Sequence, residues 1–105
     1  MEKSEYFIDE YGDKYWYLPS KGQHYIHRED GPACERKNGT KIWYKNNQIH
    51  REDGPAIEEA SSLKLKKWYL FHQRLPDQEI KTWLKENDID IKTLEGLAAF
   101  KLRWM

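Results

Sequence analysis

The chain has 105 residues, and its 18 lysines and arginines balance its 18 aspartates and glutamates, giving a formal net charge of zero. This length fits one domain, and a neutral chain has no overall charge that attracts it to nucleic acid or an anionic membrane. The aromatic content of 14% excludes an aromatic-poor disordered chain, and a single cysteine excludes an internal disulfide. The chain begins with a polar, acidic segment without a signal-peptide apolar region, and no run of about 20 apolar residues follows, so we expect a soluble, cytoplasmic protein.

Aromatic and β-branched residues concentrate in three segments that predict β-strands. These segments are "KYWYL" at 14–18, "KIWYK" at 41–45 and "LKLKKWYLF" at 63–71. In the last segment, the alternation over 63–66 predicts one buried and one solvent-facing side. The simplest arrangement is an antiparallel β-meander from about Tyr6 to Phe71.

Two asparagine-containing dipeptides predict turns within this meander. Asn38-Gly39 predicts a type I′ hairpin turn, in which both central residues have positive φ. Asn46-Asn47 predicts a second turn, because asparagine tolerates the left-handed region.

In the C-terminal part of the chain, the apolar spacing changes to that of a helix. Ile80, Trp83 and Leu84 form an i, i+3, i+4 stripe, which predicts a first helix. Asp77 is placed to cap the N-terminus of this helix, and Asn87 is placed to end it.

A second helix is predicted after it, with Thr93 or Asp90 as its cap. Its expected apolar side consists of Leu94, Leu97, Ala98, Leu102 and Met105. Gly96 weakens this prediction, because glycine costs up to about 1 kcal/mol in a helix interior. We expect both helices to pack on the last hairpin and to cover the open edge of the sheet, since a bare edge strand invites aggregation.

The segment "HREDGPA" occurs at 27–33 and again, 23 positions later, at 50–56. The pattern Gly-x-Lys-x-Trp-Tyr precedes each copy, at 12–17 and at 39–44. A third Trp-Tyr pair stands at 68–69, but the HREDGPA that would follow is replaced by a sequence containing "LPD". A repeat that stops halfway is typical of the end of an array and its cap.

The unit "NGTKIWYKNNQIHREDGPA" at 38–56 resembles the HRxDGPA-type, MORN-like β-hairpin repeats of phage and bacterial proteins, over about residues 11–75. The resemblance implies a hairpin array that serves as a binding or scaffolding surface. It also implies a small, phage-encoded modulator or inhibitor of a host protein or defence system. The chain departs from the usual pattern in having only two full units, in carrying Asn47 where the turn glycine usually stands, and in its helical tail.

The expected architecture is a single α+β domain over 1–105. An antiparallel β-meander built from hairpin repeats of about 23 residues occupies 11–75, and a cap of two C-terminal helices occupies 77–104.

The two HREDGPA copies are interpreted as folding devices rather than reactive sites. The residues given this structural role are His27, Arg28, Asp30, Gly31, Pro32, His50, Arg51, Asp53, Gly54 and Pro55. Asp is expected to bond local amides, Gly to supply positive φ, Pro to fix the backbone, and Arg to form a forked pair with a nearby carboxylate. Valine at either motif glycine should then destabilise the fold by more than about 1 kcal/mol, because a β-branched residue resists positive φ.

The alternative is a metal or acid–base set made by the His and Asp of each copy, which would make the protein a metal-dependent enzyme. Neighbouring hairpin copies lie about 10 Å apart, whereas the ligands of one metal ion lie about 2.0–2.2 Å from it, so the copies cannot share an ion. We therefore expect no metal, no cofactor and no catalytic activity. Cys34 aligns with Ile57 in the repeat, which predicts a packed thiol rather than a nucleophile.

The tyrosines beside the repeated tryptophans are the candidate binding residues. Trp16, Trp43 and Trp68 occupy equivalent strand positions and are expected to be core, which places the neighbouring tyrosines on the opposite face. The candidate binding surface consists of Tyr15, Tyr17, Tyr44, Tyr69, Lys41, Lys45, Lys66 and Lys67. Exposed aromatic residues suit a protein partner, which is the preferred hypothesis, with the helical tail as a second candidate surface.

Two alternatives remain open for these tyrosines and lysines. They could stack on the bases and neutralise the phosphates of a nucleic acid, in which case binding would weaken steeply with salt. Both faces of the sheet could instead be covered, one by the terminal helices and one by the N-terminal segment. The sequence identifies neither the partner nor the oligomeric state.

Overall fold

A computed structural model describes residues 2–61 and 63–105. The strands are β1 (Glu5–Ile8), β2 (Lys14–Tyr17), β3 (Cys34–Glu35), β4 (Lys41–Ile42), β5 (Tyr44–Lys45), β6 (Gln48–Ile49), β7 (Ile57–Glu58), β8 (Lys66–Lys67), β9 (Tyr69–Leu70) and β10 (Gln73–Arg74), and the helices are α1 (Asp77–Glu86) and α2 (Leu94–Trp104). The strands β1, β2, β3, β4, β7 and β8 form one antiparallel sheet in that order, while β5–β6 and β9–β10 form two separate hairpins. The predicted α+β class and sequential antiparallel meander are confirmed.

The predicted strands around the second and third Trp-Tyr pairs are interrupted at the tryptophan. The N–H of Trp43 donates to the carbonyl of Ala56 at 2.8 Å, whereas the carbonyl of Trp43 accepts from the N–H of His50 at 3.0 Å. The two polar groups of Trp43 therefore serve different neighbours. At this residue the chain leaves the main sheet and enters the β5–β6 hairpin, and Trp68 separates β8 from β9 in the same way.

The turn at Asn38-Gly39 differs from the type I′ prediction, because only Gly39 has positive φ, at 95°. The N–H of Arg36 donates to the carbonyl of Thr40, which closes a three-residue loop that ends on a left-handed glycine. The second predicted turn is confirmed: Asn46 and Asn47 have φ values of 51° and 64°, as a type I′ turn requires.

The strand predicted over 63–66 is wrong except at its last residue. Leu63 and Leu65 are 74% and 45% exposed, and Lys64 has a left-handed φ of 48°. The N–H of Lys64 donates to the carbonyl of Ser61 at 2.9 Å, so the connection between β7 and β8 takes these residues into a turn.

Both helices pack on the last hairpin, as expected. The buried cluster consists of Trp68, Leu70, Ile80 and Phe100, surrounded by Leu75, Trp83, Leu84, Ile91 and Trp104. The predicted stripe of α1 thus faces the core, and Asn87 is the C-terminal cap of α1 as predicted.

Helix α2 is rotated relative to the prediction. The predicted cap is correct, since the hydroxyl of Thr93 accepts from the N–H of Gly96 at 3.0 Å. Of the five residues predicted to form its buried side, Leu94, Ala98, Leu102 and Met105 are exposed and Leu97 is half-buried. The buried side carries Gly96 and Phe100 instead, because the ring of Phe100 packs on Trp68 with a centroid distance of 5.4 Å.

The predicted role of Asp77 is also wrong, because Pro76 is the N-cap of α1 and makes no side-chain cap bond. The Oδ1 atom of Asp77 accepts from the backbone N–H of Trp68 at 2.8 Å, and its Oδ2 atom accepts from Arg74 at 2.6 Å. In the two full repeats, the equivalent tryptophan N–H donates to an alanine carbonyl at 2.8 Å. The carboxylate of Asp77 therefore replaces the carbonyl that a third HREDGPA would supply.

We expect Asp77→Ala to lower the free energy of unfolding by about 1–3 kcal/mol, because it leaves the N–H of the buried Trp68 without an acceptor. Asp77→Asn is the matched control, since it retains an oxygen at this position. It should cost less than about 1 kcal/mol, the value of an ion pair with the exposed Arg74. Urea unfolding of both variants measures the difference, and equal losses would contradict the proposed replacement.

Candidate functional site

The arginine of each HREDGPA copy is held on three sides. In the first copy, Nε of Arg28 donates to Asp30 at 3.1 Å, and a terminal nitrogen donates to the carbonyl of Pro32 at 3.0 Å. The guanidinium carbon lies 3.9 Å from the ring centroid of Trp16. The corresponding distances from Arg51 to Asp53, Pro55 and Trp43 are 2.8, 3.0 and 3.8 Å. Each arginine pairs with a carboxylate of its own turn, but the pair is not forked as predicted, because Nε alone bonds the aspartate while the terminal nitrogen bonds the proline carbonyl.

The histidine of each copy is buried, with 6% exposure for His27 and 4% for His50. Nδ1 of His50 accepts from the backbone N–H of Phe71 at 2.9 Å, so the proton of a neutral ring is assigned to Nε2, which lies 3.1 Å from Glu52. The ring of His27 makes the same pair of contacts, with the N–H of Asn46 and with Glu29. Each histidine thus ties its motif to the turn of the next hairpin, and both ring nitrogens have partners.

The glutamate of each motif forms an ion pair with a lysine from an element later in the chain. Glu29 lies 3.5 Å from Nζ of Lys45, which belongs to β5. Glu52 lies 2.9 Å from Nζ of Lys101, which belongs to α2. The hydrogen bond from Lys101 lowers the pKa of Glu52, with a further contribution from His50 and an opposing one from burial. For the second copy, α2 therefore supplies the lysine that the following repeat supplies for the first copy.

The reason given for the motif glycines is wrong. The glycines with positive φ are Gly12, Gly22 and Gly39, and neither motif glycine is among them. A Cβ atom at Gly31 would lie 3.1 Å from Cζ of the motif arginine, and one at Gly54 would lie 2.9 Å from the equivalent atom. We therefore expect that the motif needs glycine because the guanidinium group occupies the space of a side chain.

The motif aspartates also differ from the prediction. Their carboxylates bond the Nε atom of the motif arginine in both copies, rather than the local amides that the turn chemistry suggested. The aspartate thus positions the guanidinium that packs against the glycine and the tryptophan. The motif is one interlocked unit of arginine, aspartate, glycine and tryptophan.

The described parts of the chain, 2–61 and 63–105, contain no group of three or more His, Cys, Asp or Glu residues placed to hold a metal ion. Cys34 is 1% exposed, and burial raises the pKa of its thiol. The packing role predicted for this cysteine agrees with its burial.

The four tyrosines of the candidate binding surface are half-buried. The ring of Tyr15 stacks on Phe7 with a centroid distance of 5.6 Å, and the hydroxyl of Tyr17 donates to Glu5 at 3.3 Å. Tyr44 pairs with Ile49 across the β5–β6 hairpin, and burial raises its pKa. Tyr69 pairs with Arg74 across the β9–β10 hairpin. Tyr15 and Tyr17 share β2, whereas Tyr44 and Tyr69 lie on β5 and β9 in two separate hairpins, so the four rings are divided among three elements.

The tryptophan row expected in the core is buried at two of its three positions. Trp16 and Trp68 are 9% and 8% exposed, whereas Trp43 is half-buried. The lysines of the candidate surface also divide into two classes. Lys45 and Lys67 form ion pairs with glutamates, while Lys41 and Lys66 are exposed.

Charges alternate in sign across the main sheet in one row of cross-strand partners. This row is Lys14, Glu35, Lys41, Glu58 and Lys66. Lys41, the interior lysine of the row, lies opposite a glutamate on each neighbouring strand, so the row has no block of like charge. Lys66 ends the row, with Glu58 as its cross-strand partner on one side.

Helix α2, part of the helical tail predicted as a second candidate surface, carries an exposed apolar face made of residues that were predicted to be buried. These residues are Leu94, Ala98, Leu102 and Met105, which recur at helical spacing. The exposed fractions of the three large side chains are 85%, 90% and 55% in chain order. The apolar spacing was itself the signal, but it was assigned to the core.

Within the described ranges, the structure contains no helix that is both long enough and apolar enough to cross a membrane. A scan against protein-family models finds no matching family, and searches of curated proteins and of solved structures find no significant match.

Proposed function

We propose that this protein is a non-catalytic binding module that recognises another protein and acts as a small modulator or inhibitor. The apolar face of α2 carries this proposal, because Leu94 and Leu102 are 85% and 90% exposed on a helix whose opposite face is anchored in the core. Clustered exposed apolar side chains mark interaction sites, and a rigid helix face fits an apolar groove on a partner.

The internal bonding of the two HREDGPA copies supports a role other than catalysis. Their arginines, aspartates and histidines each bond a partner inside the fold. A reactive histidine needs a ring nitrogen that can reach a substrate, and His50 is 4% exposed with both nitrogens engaged.

The nucleic-acid alternative has less support in the surface chemistry. Phosphate recognition draws on several lysines or arginines that are free to neutralise the backbone. Here the exposed Lys41 lies between Glu35 and Glu58 in the sheet, and Lys45 and Lys67 are paired with glutamates. A partner with apolar and charged groups of both signs fits this surface better than a polyanion.

We also propose that the chain is a MORN-like repeat protein that acts in the cytoplasm of a bacterial cell, encoded by a phage and directed at a host protein or defence system. The support for this part of the proposal is the resemblance carried by the repeated unit at 38–56.

The test is a tagged pull-down from bacterial lysate, with and without nuclease, read by mass spectrometry and by absorbance at the nucleotide band. We expect one protein at stoichiometric amount that survives nuclease, is lost with Leu102→Asp and is retained with Tyr11→Asp. Tyr11 is the matched control because it is 71% exposed and lies away from α2, in the loop between β1 and β2.

Two results would overturn the proposal. One is recovery of nucleic acid that disappears after nuclease treatment, which would favour the tyrosine and lysine alternative. The other is a protein retained equally by both variants, which would exclude α2 as the binding face. Circular dichroism checks that each variant is folded.

A further inference from the structure

The main sheet ends in an edge strand at the point where the repeat array stops. Strand β4 lies between β3 and β7, whereas its equivalent in the third, incomplete repeat, β8, has only β7 beside it among the described strands. The segment Lys41–Trp43 corresponds to the segment Lys66–Trp68 in the repeat. The open side of β8 is thus the position that a third copy of β7 would occupy.

Helix α1 closes only one end of this open edge. The carboxylate of Asp77 accepts from the N–H of Trp68 and so takes the place of a neighbouring strand at that residue. Lys66, two residues earlier, has Glu58 as its one cross-strand partner in the described sheet. Its interior equivalent, Lys41, has both Glu35 and Glu58.

A groove of about 1200 Å³ runs between this edge and α1. Its apolar lining includes Leu63, Leu65 and Leu84, and the first two are largely exposed. Four lysines, Lys64, Lys66, Lys81 and Lys85, face three carboxylates, Asp77, Glu79 and Asp88. Since Asp77 already bonds Arg74, the groove presents more unpaired positive than negative charge. This charge favours an acidic occupant.

We propose that the groove binds an extended segment of a partner protein, which adds to β8 as an antiparallel strand and places a carboxylate opposite Lys66 and an aliphatic residue opposite Lys67. The chain itself shows this chemistry, because β7 places Ile57 and Glu58 opposite Ile42 and Lys41 of the equivalent strand. A bound strand would complete the alternating charge row and pair the exposed edge. This site lies on a different surface from the α2 face, so either proposal can fail while the other stands.

The test is a titration of the full-length, isotope-labelled chain with a blocked peptide that has the sequence of residues 54–59, "GPAIEE", followed by NMR. We expect saturable shifts in the amides of β8 and of α1. Replacing Lys66 with Gln should weaken binding about threefold and Lys66→Glu about tenfold, because a favourable cross-strand pair is lost and then reversed. Lys92→Glu is the control, since it changes an exposed lysine outside the groove.

A charge-reversed peptide, "GPAIKE", should bind Lys66→Glu more tightly than it binds the parent, and this rescue cannot arise from a folding defect. A peptide methylated on the backbone nitrogen of the glutamate opposite Lys66 separates strand pairing from simple charge attraction, because it should bind more weakly at equal charge.

The proposal is overturned by any of three outcomes. The first is the absence of shifts in β8 up to the solubility limit of the peptide, and the second is equal binding of the peptide by the parent and Lys66→Glu. The third is self-association of the chain that the peptide displaces, which would assign the groove to β1 of a second copy. Loss of lysate partner with Leu102→Asp but normal peptide binding would leave this site intact.

Discussion

Gly96→Ala is expected to lower the free energy of unfolding by about 3 kcal/mol or more, although helix propensity predicts a gain of about 1 kcal/mol. Gly96 is the third residue of α2, and a Cβ atom there would lie 1.8 Å from the carbonyl oxygen of Asp90 and 2.6 Å from its carbon. Both are backbone atoms, so no side-chain rotation relieves the overlap. The start of α2 would have to separate from the preceding loop.

The matched control for this prediction is Ala98→Gly, an exposed position on the same helix. It should cost about 1 kcal/mol, because only propensity acts there. Chemical unfolding of the parent and both variants gives the two free-energy changes. A stabilised Gly96→Ala variant would mean that α2 does not approach the Asp90 carbonyl.

The close approach of Gly96 to the Asp90 carbonyl is one reason why the buried side of α2 was predicted wrongly from the sequence. Glycine in a helical pattern is a defect if only local propensity is considered, and the sequence contains no sign of the Asp90 carbonyl that it must face. Apolar residues occur on two sides of this helix, and the wider set was assigned to the core. Phe100 decides the rotation through its contact with Trp68, which joins residues far apart in the chain.

The repeat, in contrast, carried reliable information about the sheet. Two segments with the same letters make the same bonds, and the tryptophan N–H, the histidine Nδ1 and the arginine Nε find equivalent partners in both copies. Internal repetition therefore predicted the order of the strands. It also predicted a cap after the third Trp-Tyr pair.

The chemistry of the cap was not predictable from the repeat, because the substitutes are of different residue types. Asp77 replaces a backbone carbonyl, and Lys101 takes the position that Lys45 has toward the first motif glutamate. Phe100 packs on Trp68, where a motif arginine packs on the tryptophans of the full repeats. Phe100 and Lys101 come from α2, far along the chain from the repeats, so no local pattern reveals them, whereas Asp77 lies only nine residues after Trp68.

The exposed edge of β8 follows from the same incomplete replacement. The helices satisfy the N–H of Trp68 and cover its ring, but Lys66 keeps one glutamate partner where Lys41 has two. Sequence alignment of the repeats shows that the last unit is incomplete. It does not show which part of the missing strand the cap leaves unreplaced.

Gly54→Ala is expected to destabilise the fold by about 1–3 kcal/mol through overlap with the motif arginine. The new Cβ atom would lie 2.9 Å from Cζ of Arg51, whose guanidinium is fixed by Asp53, by the carbonyl of Pro55 and by the ring of Trp43. The guanidinium can move only by giving up these contacts. Backbone strain does not contribute, because the φ of Gly54 is not positive.

A double-mutant cycle with Arg51→Ala separates the two explanations for this glycine. Once the guanidinium is removed, Gly54→Ala should cost less than about 0.5 kcal/mol, so the two changes couple by about 0.5 kcal/mol or more. Gly39→Ala is the control, since Gly39 has a φ of 95° and its cost comes from strain that does not depend on Arg51. Equilibrium urea unfolding of the parent, the two single variants and the double variant gives the coupling energy at Gly54. The same measurement on Gly39→Ala, with and without Arg51→Ala, gives the control coupling energy. Additive losses at Gly54 would show that the motif needs glycine for its backbone, whereas coupling shows that the HREDGPA glycine exists to make room for its own arginine.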